Sequence, residues 1–309
     1  MKKLSIVIPV YYNQDSLFPL FNELTVLEQS MNERGIALEL IFVNDGSRDE
    51  SLARLKDIKR RRPETVVLNH LANRGSMTAI KTGLSRVTGD CFTYLAADLQ
   101  DPPALLLEMV DHWKQGERFV VRTRASRSDP FFTRLLAWIN YKMVRFLVFS
   151  DYPPGGYDMA VFDRIFLTPM LECGRNKNLA MFAWSLGVPA KTLTYHREER
   201  EHGKSMWTLH KKLNYFIDST VGFSVKPMRL ISMTGFLLAM VCFSYSAFVI
   251  IGRLVGWIDT PGFATLASII GFLQGCGFVI SGILGEYIWR IYTEINKAPS
   301  ALVEEVGQE

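Results

Sequence analysis

The first 125 residues alternate between short apolar runs and longer stretches in which apolar residues recur at helical spacing. The apolar runs predict strands at residues 4–11, 38–45, 65–70, 91–98 and 118–124. The stretches between them predict helices at 16–35, 51–62, 76–88 and 102–116. Because strands and helices alternate, we expect an α/β fold with a doubly wound, mostly parallel sheet.

Two long stretches in the C-terminal third contain no charged residue, at about 230–251 and 262–285. Each could cross the roughly 30 Å apolar core of a bilayer, which takes about 20 helical residues. We therefore predict a two-helix transmembrane hairpin over 226–290. Two helices buried in a soluble core would be the alternative. Glycines in the second stretch suit close helix packing and permit a homo-oligomer.

Cations flank the predicted hairpin on both outer sides, at Lys226, Arg229, Arg290 and Lys297. The loop between the two helices has only Arg253, offset by Asp259. Cytoplasmic flanks carry an excess of lysine and arginine, so both termini should be cytoplasmic. This predicts a membrane protein with a cytoplasmic domain at 1–225 and a cytoplasmic tail at 291–309.

Two further segments mix large apolar residues with scattered cations, at about 131–149 and 207–223. This pattern is typical of helices that lie in the headgroup layer of a membrane. Ordinary helices packed on the sheet would be the alternative. The predicted hairpin directly after the second segment favours the interfacial interpretation.

Composition excludes several classes of function. The formal net charge is only +4, and no basic run is interleaved with aromatic residues, so we expect no nucleic-acid partner. The four cysteines are scattered without a C-x-x-C pair, which argues against a zinc site or a disulfide framework. Neither a G-x-G-x-x-G fingerprint nor a P-loop motif is present, which disfavours dinucleotide binding and P-loop chemistry.

Polar residues follow three of the predicted strands, at 9–13, 44–47 and 98–101. Sheets of this class bind ligands beyond the carboxyl ends of their strands, so these residues should line one site. Asp45 could alternatively serve only as a turn former, because it stands in the turn sequence N-D-G-S. The position at the strand end favours a ligand role.

The stretch LAADLQDPP, residues 95–103, is the candidate metal site. In an extended chain Asp98 and Gln100 would share one face, and Ala96 would lie there too. Carboxylate and amide oxygens suit Mg²⁺ or Mn²⁺, with diphosphate oxygens and water as the remaining ligands. Asp101, directly before two prolines, is expected to cap the following helix.

The motifs SIVIPVYYNQDSL, FVNDGSRDES, TGDCFTYLAADLQDPP, GGYDMAVFDR and REEREHGKS occur in this order. Together with the two C-terminal apolar stretches they resemble the family 2, GT-A type, inverting glycosyltransferases. Within that family they resemble the polyprenyl-phosphate glycosyltransferases, the group of dolichyl-phosphate mannose synthase and the bacterial undecaprenyl-phosphate glucosyltransferases. The Q-x-x-R-W motif of processive members is missing, which indicates transfer of a single sugar.

The resemblance implies roles for individual residues. Nucleotide binding falls to Pro9, Tyr11, Asn13, Asp45, Ser47 and Asp98. The metal, Mg²⁺ or Mn²⁺, falls to Asp98 and Gln100. Asp158 is the expected catalytic base or acceptor-positioning residue. The diphosphate and acceptor phosphate fall to Arg124, Arg134, Arg200 and Lys204. Arg122 and Arg127 are expected to be solvated surface charges.

The implied reaction moves one sugar from a nucleoside diphosphate sugar to polyprenyl (undecaprenyl) phosphate. A UDP-linked donor with glucose is the first candidate, and N-acetylglucosamine or a modified arabinose are the alternatives. Ala96, Ala160 and Met206 depart from the family pattern. An inactive scaffold that binds sugar nucleotide is therefore a second hypothesis, and a transferase with a soluble or protein acceptor is a third.

Overall fold

The computed structural model describes residues 1–124, 148–153, 156–174, 178–195, 262–295 and 301–307, and single positions within 142–146 and 233–257. The chain divides into two units, one of Met1–Ser219 with Ala298–Glu309 and one of Thr220–Lys297. The first unit contains the sheet described below.

In the described part of the chain, eight strands form one sheet: β1 (Lys2–Val10), β2 (Ile36–Asn44), β3 (Val66–His70), β4 (Cys91–Tyr94), β5 (Phe119–Arg124), β6 (Met159–Asp163), β7 (Lys191–Tyr195) and β8 (Val303–Glu305). Their order is β7-β5-β6-β4-β1-β2-β3-β8. The pairs β1/β2, β1/β4, β2/β3 and β5/β7 are parallel. Strand β6 is antiparallel to β4 and β5, and β8 to β3. The predicted α/β class is confirmed, with a sheet that is mixed.

The helices of the first unit are α1 (Leu17–Glu33), α2 (Ser51–Arg61), α3 (Ser76–Leu84), α4 (Leu106–Lys114), α5 (Leu167–Glu172) and α6 (Leu179–Ser185). Short 3₁₀ helices occupy Pro103–Leu105 and Arg164–Phe166. The second unit contains α7 (Phe263–Ile295). Among the residues that are described, none of the helices combines the length and the apolar character needed to cross a membrane.

Helices cover both faces of the sheet, and β1 shows why. Leu4, Ile6 and Ile8 are fully buried in a core that includes residues of α1, α2 and α4. Val7 points to the opposite core, which includes residues of α3 and α5. A strand that is buried on both faces has a nearly continuous apolar sequence, as LSIVIPV does apart from Ser5. At Gly83 of α3 a Cβ would lie 2.3 Å from the Val7 side chain, so glycine permits this close packing.

An aromatic stack explains the position of β6, which the sequence pattern did not predict. Phe162 of β6 is paired with Phe92 of β4 on one side and Phe119 of β5 on the other. Both neighbouring rings stack on Phe162 at a centroid distance of 5.3 Å. Stacked aromatic pairs contribute about 0.5–1.5 kcal/mol beyond the area that they bury. They hold β6 between β4 and β5.

Strand β4 is shorter than predicted. It ends at Tyr94 instead of residue 98, although the Leu95 N–H still donates to the Val7 carbonyl (2.9 Å). The chain then turns, and Leu99 adopts a left-handed φ of 60°. Asp98 and Gln100 therefore do not share a face of an extended strand, and that part of the prediction was wrong.

Candidate active site

The ends of β1, β2 and β4 lie side by side because the three strands are parallel neighbours. Val10, the last residue of β1, is paired with Asn44, the last residue of β2. The segments after these strands carry the predicted ligand-binding residues and start from one edge of the sheet. This edge is where parallel α/β sheets bind ligands.

Asp45 is buried at the end of β2 and is only 2% exposed. Its carboxylate lies 2.9 Å from His70 Nδ1 and accepts the backbone N–H groups of Arg74 and Gly75, both at 2.8 Å. Burial alone would raise the pKa of Asp45, but the hydrogen bonds from these three residues outweigh it and the pKa is lowered. Asp45 thus fixes the loop that precedes α3, and its contact with a nucleoside stays a prediction.

Asp45→Asn is expected to destabilise the fold by about 1–3 kcal/mol at neutral pH, because it replaces a buried carboxylate that accepts two backbone N–H groups and contacts His70. A lowered pKa means that this stabilisation is present above the ordinary value of 3.8 and is lost as the pH falls below it. Thermal unfolding of the full chain should show a constant difference from the wild type between pH 7 and about 5, which shrinks below about 4. Asp57→Asn, at an exposed pair with Arg60, is the control. Equal unfolding temperatures for Asp45→Asn and the wild type at pH 7 would contradict this role.

The segment after β1 is shaped by its own polar side chains. Asn13 Oδ1 accepts the Tyr11 N–H (3.0 Å), and Ser47 Oγ accepts the Tyr12 N–H (3.1 Å). Tyr12 is 46% exposed, and its ring packs edge-on against that of Tyr11 at 4.6 Å. Pro9 is half-buried within β1. The structure brings four predicted nucleotide-binding residues to the same edge of the sheet: Pro9, Tyr11, Asn13 and Ser47. Their contact with a ligand stays a prediction.

Asp98 and Gln100 lie in the turn that follows β4, and both are half-buried. The Gln100 N–H donates to Asp98 Oδ1 at 3.3 Å, so a local turn brings the two residues together. Ala96 is exposed and offers no ligand atom. In the described part of the chain, no three or more His, Cys, Asp or Glu side chains converge as a metal-binding group. One carboxylate with one amide oxygen fits Mg²⁺ or Mn²⁺ only when other oxygens, such as those of a diphosphate, join them.

Asp101 does not cap a helix, contrary to the prediction. Neither the 3₁₀ helix at Pro103–Leu105 nor α4 has a side-chain cap. Asp101 is 7% exposed and accepts a hydrogen bond from the Tyr195 hydroxyl (2.5 Å). Burial raises the pKa of Asp101 to about 6, and the carboxylates of Asp158 and Asp98 add to the rise. Asp101 therefore lies close to the carboxylates of Asp98 and Asp158 in the candidate site.

Arg124 and Asp158 form a bidentate ion pair. Arg124 Nε and Nη2 each donate to one oxygen of Asp158, both at 2.7 Å. Burial alone would lower the pKa of Arg124, but the Asp158 carboxylate outweighs it, and the pKa is raised. The two side chains remain 24% and 22% exposed, so an incoming ligand can reach them. Bidentate charge-assisted pairs of this kind fix the geometry of both partners.

Four neighbouring strands supply this cluster in spatial order. Tyr195 ends β7, Arg124 ends β5, Asp158 precedes β6, and Asp101 lies in the loop after β4. The Tyr195 hydroxyl also lies 3.3 Å from Asp158 Oδ2. Sequence reasoning missed Tyr195 because β7 was not predicted. Its position just before the REEREHGKS motif was the available signal.

Arg122 is not a solvated surface charge, as the sequence had suggested, because it is 4% exposed. Its guanidinium donates to the carbonyls of Thr194 (3.4 Å) and Leu105 (3.3 Å) and forms an ion pair with Glu108. A buried charge requires such partners. Arg122 therefore joins β5, β7 and the start of α4 beneath the cluster.

Several predicted residues lie outside the described part of the chain. They are Arg127, Arg134, Arg200 and Lys204, together with segment 207–223, most of segment 131–149 and most of segment 230–251. Their roles stay predictions.

The described edge combines carboxylates, an amide and a paired arginine, a set that suits a ligand with phosphate groups and a metal ion. Comparison with known proteins identifies the class. The profile of glycosyl transferase family 2 matches residues 5–169, just over half of the 309 residues. The chain belongs to glycosyl transferase family 2, and it is a glycosyltransferase. The family expected from the motifs is thus confirmed.

Relatives match over nearly the whole chain. An uncharacterized glycosyltransferase of Synechocystis is 31% identical over 307 residues, 98% of this chain and 95% of the relative. The undecaprenyl-phosphate 4-deoxy-4-formamido-L-arabinose transferase of Yersinia pestis is 31% identical over 312 residues, 99% of this chain and 94% of the relative. Among solved structures, glucosyl-3-phosphoglycerate synthase of Mycobacterium tuberculosis, in complex with Mn²⁺, UDP-glucose and phosphoglyceric acid, matches with a TM-score of 0.48 and 14% identity, over 71% of this chain and 80% of that one.

Proposed function

We propose that this glycosyltransferase moves a single sugar, with inversion, from a nucleoside diphosphate sugar to a polyprenyl phosphate, undecaprenyl phosphate in a bacterium. The donor is UDP-linked, with glucose as the first candidate and N-acetylglucosamine as an alternative. The Yersinia relative, which is named for transfer of 4-deoxy-4-formamido-L-arabinose to the same lipid, favours a modified arabinose as a further alternative.

The observation that carries the proposal is the Arg124–Asp158 pair, which lies at the edge of the sheet that also carries the Asp98–Gln100 turn. A guanidinium that is held in a fixed orientation and remains partly exposed can bind the phosphate of the acceptor. The residues that follow β1 and β2 would bind the nucleotide. Donor and acceptor would then meet between the two groups.

The proposed reaction depends more on the positions of the reacting groups than on proton transfer. A phosphate monoester is largely ionised near neutral pH, because its second pKa is about 6. Its oxygen forms the bond to the anomeric carbon, while the bond from that carbon to the diphosphate oxygen breaks and the electron pair leaves with the nucleoside diphosphate. Asp158 would orient Arg124 and the acceptor, and contributes through alignment and electrostatics.

Asp98 and Gln100 would hold a divalent cation, Mg²⁺ or Mn²⁺, which neutralises charge on the departing diphosphate when it is bound. Arg200 and Lys204 are proposed to bind the same diphosphate, and Arg134 to assist at the acceptor phosphate. Positively charged groups from more than one segment of the chain would thereby stabilise the departing diphosphate.

Membrane attachment is part of the proposal and rests on the sequence. The uncharged stretches at 230–251 and 262–285 would form a hairpin anchor, with residues 1–225 and the tail at 291–309 on the cytoplasmic side of the inner membrane. The segments at 131–149 and 207–223 would lie in the headgroup layer. This arrangement would bring the site to a lipid phosphate that cannot leave the bilayer.

The test is release of nucleoside diphosphate by the purified full chain in lipid vesicles with Mn²⁺. The donors are UDP-glucose, UDP-N-acetylglucosamine and UDP-4-deoxy-4-formamido-L-arabinose, and mass spectrometry identifies the lipid product. Turnover should require undecaprenyl phosphate. Undecaprenol, which has the same lipid chain without the phosphate, is the matched control. Equal release with undecaprenol, or without lipid, would rule out the proposed acceptor.

A further inference from the structure

Tyr195 is the last residue of β7 and is 5% exposed. It is paired in register with Arg124 of β5. Its hydroxyl donates to Asp101 at 2.5 Å and lies 3.3 Å from Asp158 Oδ2. A hydroxyl has a single proton to donate, so the shorter contact is the hydrogen bond and the longer one is a close polar contact. One side chain thus contacts two carboxylates, one in the loop after β4 and one just before β6.

The two carboxylates belong to different sides of the proposed reaction. Asp101 directly follows the turn of Asp98 and Gln100, which is assigned to the donor and its metal ion. Asp158 holds Arg124, which is assigned to the acceptor phosphate. We propose that Tyr195 is a positioning residue that fixes the turn of Asp98 and Gln100 relative to the Asp158–Arg124 pair. This inference rests on the proposed function for the assignment of the two sides.

Arg122 supports the inference from a separate set of contacts. Its guanidinium binds the carbonyl of Thr194, the residue before Tyr195, and the carbonyl of Leu105, at the start of the helix after Asp101. The backbone on both sides of the Tyr195–Asp101 hydrogen bond is therefore tied to β5. A hydrogen bond whose two ends are already held in this way can transmit position accurately.

Tyr195→Phe removes the hydroxyl and keeps the ring. Tyr157→Phe is the matched control, because the Tyr157 hydroxyl also donates one hydrogen bond, to the carbonyl of Ala180, and the residue is the immediate neighbour of Asp158. The first readout needs no turnover: the full chain is titrated with Mn²⁺ in the presence of excess UDP or GDP, and bound Mn²⁺ is followed by electron paramagnetic resonance. The second readout is kcat for lipid-dependent release of nucleoside diphosphate.

We expect Tyr195→Phe to weaken Mn²⁺ binding with nucleotide and to lower kcat, each by about tenfold, as is usual when a residue that orients the ligands is lost. Tyr157→Phe should match the wild type in both readouts. In the double variant Tyr195→Phe, Asp101→Asn the effects should be non-additive, because both changes remove the same hydrogen bond.

The outcomes separate this inference from the proposed function. If Tyr195→Phe equals Tyr157→Phe in both readouts, or if the wild type binds no Mn²⁺ with either nucleotide, the inference is wrong. A weakened Mn²⁺ titration in Tyr195→Phe together with no lipid-dependent turnover in the wild type would support the inference and reject the proposed acceptor. A loss of thermal stability without a change in either readout would assign Tyr195 a structural role only.

Discussion

Asp158→Asn is expected to lower kcat by about 100-fold or more, on the scale of losing one preorganised charge at a reacting centre. The substitution keeps the shape of the side chain and removes the charge that holds Arg124 in a bidentate pair. Without that charge the guanidinium loses its fixed orientation toward the acceptor phosphate. The KM for the sugar nucleotide should change little, because the proposed nucleotide contacts follow β1 and β2. Initial rates of nucleoside diphosphate release with undecaprenyl phosphate measure both quantities.

Asp163→Asn is the matched control for this prediction. It makes the same chemical change at the last residue of β6, whereas Asp158 directly precedes that strand, and Asp163 accepts a hydrogen bond from Trp113 Nε1 (2.9 Å). Its kcat should stay close to that of the wild type. If Asp158→Asn retained the wild-type kcat, Asp158 would have no part in the reaction and the Arg124–Asp158 pair would be a structural contact alone.

The sequence predicted the first five strands because each is an apolar run flanked by an amphipathic helix. It did not predict β6, β7 and β8, and length alone is not the reason, because β3 and β4 are equally short. Strand β7 has an almost entirely exposed or half-buried pattern, so no periodic signal marks it. Whether these segments form strands depends on contacts with residues far away in the sequence. The stack of Phe162 between Phe92 and Phe119 is the example.

Partners that are distant in sequence also explain two of the wrong predictions at the site, those for Asp101 and Arg122. Asp101 precedes two prolines, which locally favours a helix cap, but its partner Tyr195 is 94 residues away. The sequence pattern predicts a surface charge at Arg122 of β5, whereas in the fold this side chain is buried and binds Thr194 of β7 and Glu108 of α4. The position of Asp158 could be inferred because its motif carries family information. Its pairing with Arg124 could not, because that requires the antiparallel register of β5 and β6.

Asp98→Ala is expected to reduce turnover by on the order of 1000-fold, because the metal supplies several kcal/mol of charge stabilisation and Asp98 is the proposed carboxylate ligand. Mn²⁺ binding in the presence of UDP should be lost together with turnover, while the unfolding temperature stays close to that of the wild type. Calorimetric titration with Mn²⁺, with and without UDP, measures binding. Activity that survives in Asp98→Ala would exclude Asp98 as the metal ligand.

Ala96→Asp provides the complementary test, because Ala96 is exposed in the same turn and an aspartate there would add a second carboxylate. The wild type should bind Mn²⁺ weakly without nucleotide, since one carboxylate and one amide leave most of the coordination to the diphosphate and water. Ala96→Asp should bind Mn²⁺ more tightly without nucleotide. Tight binding by the nucleotide-free wild type would show that other residues complete the site.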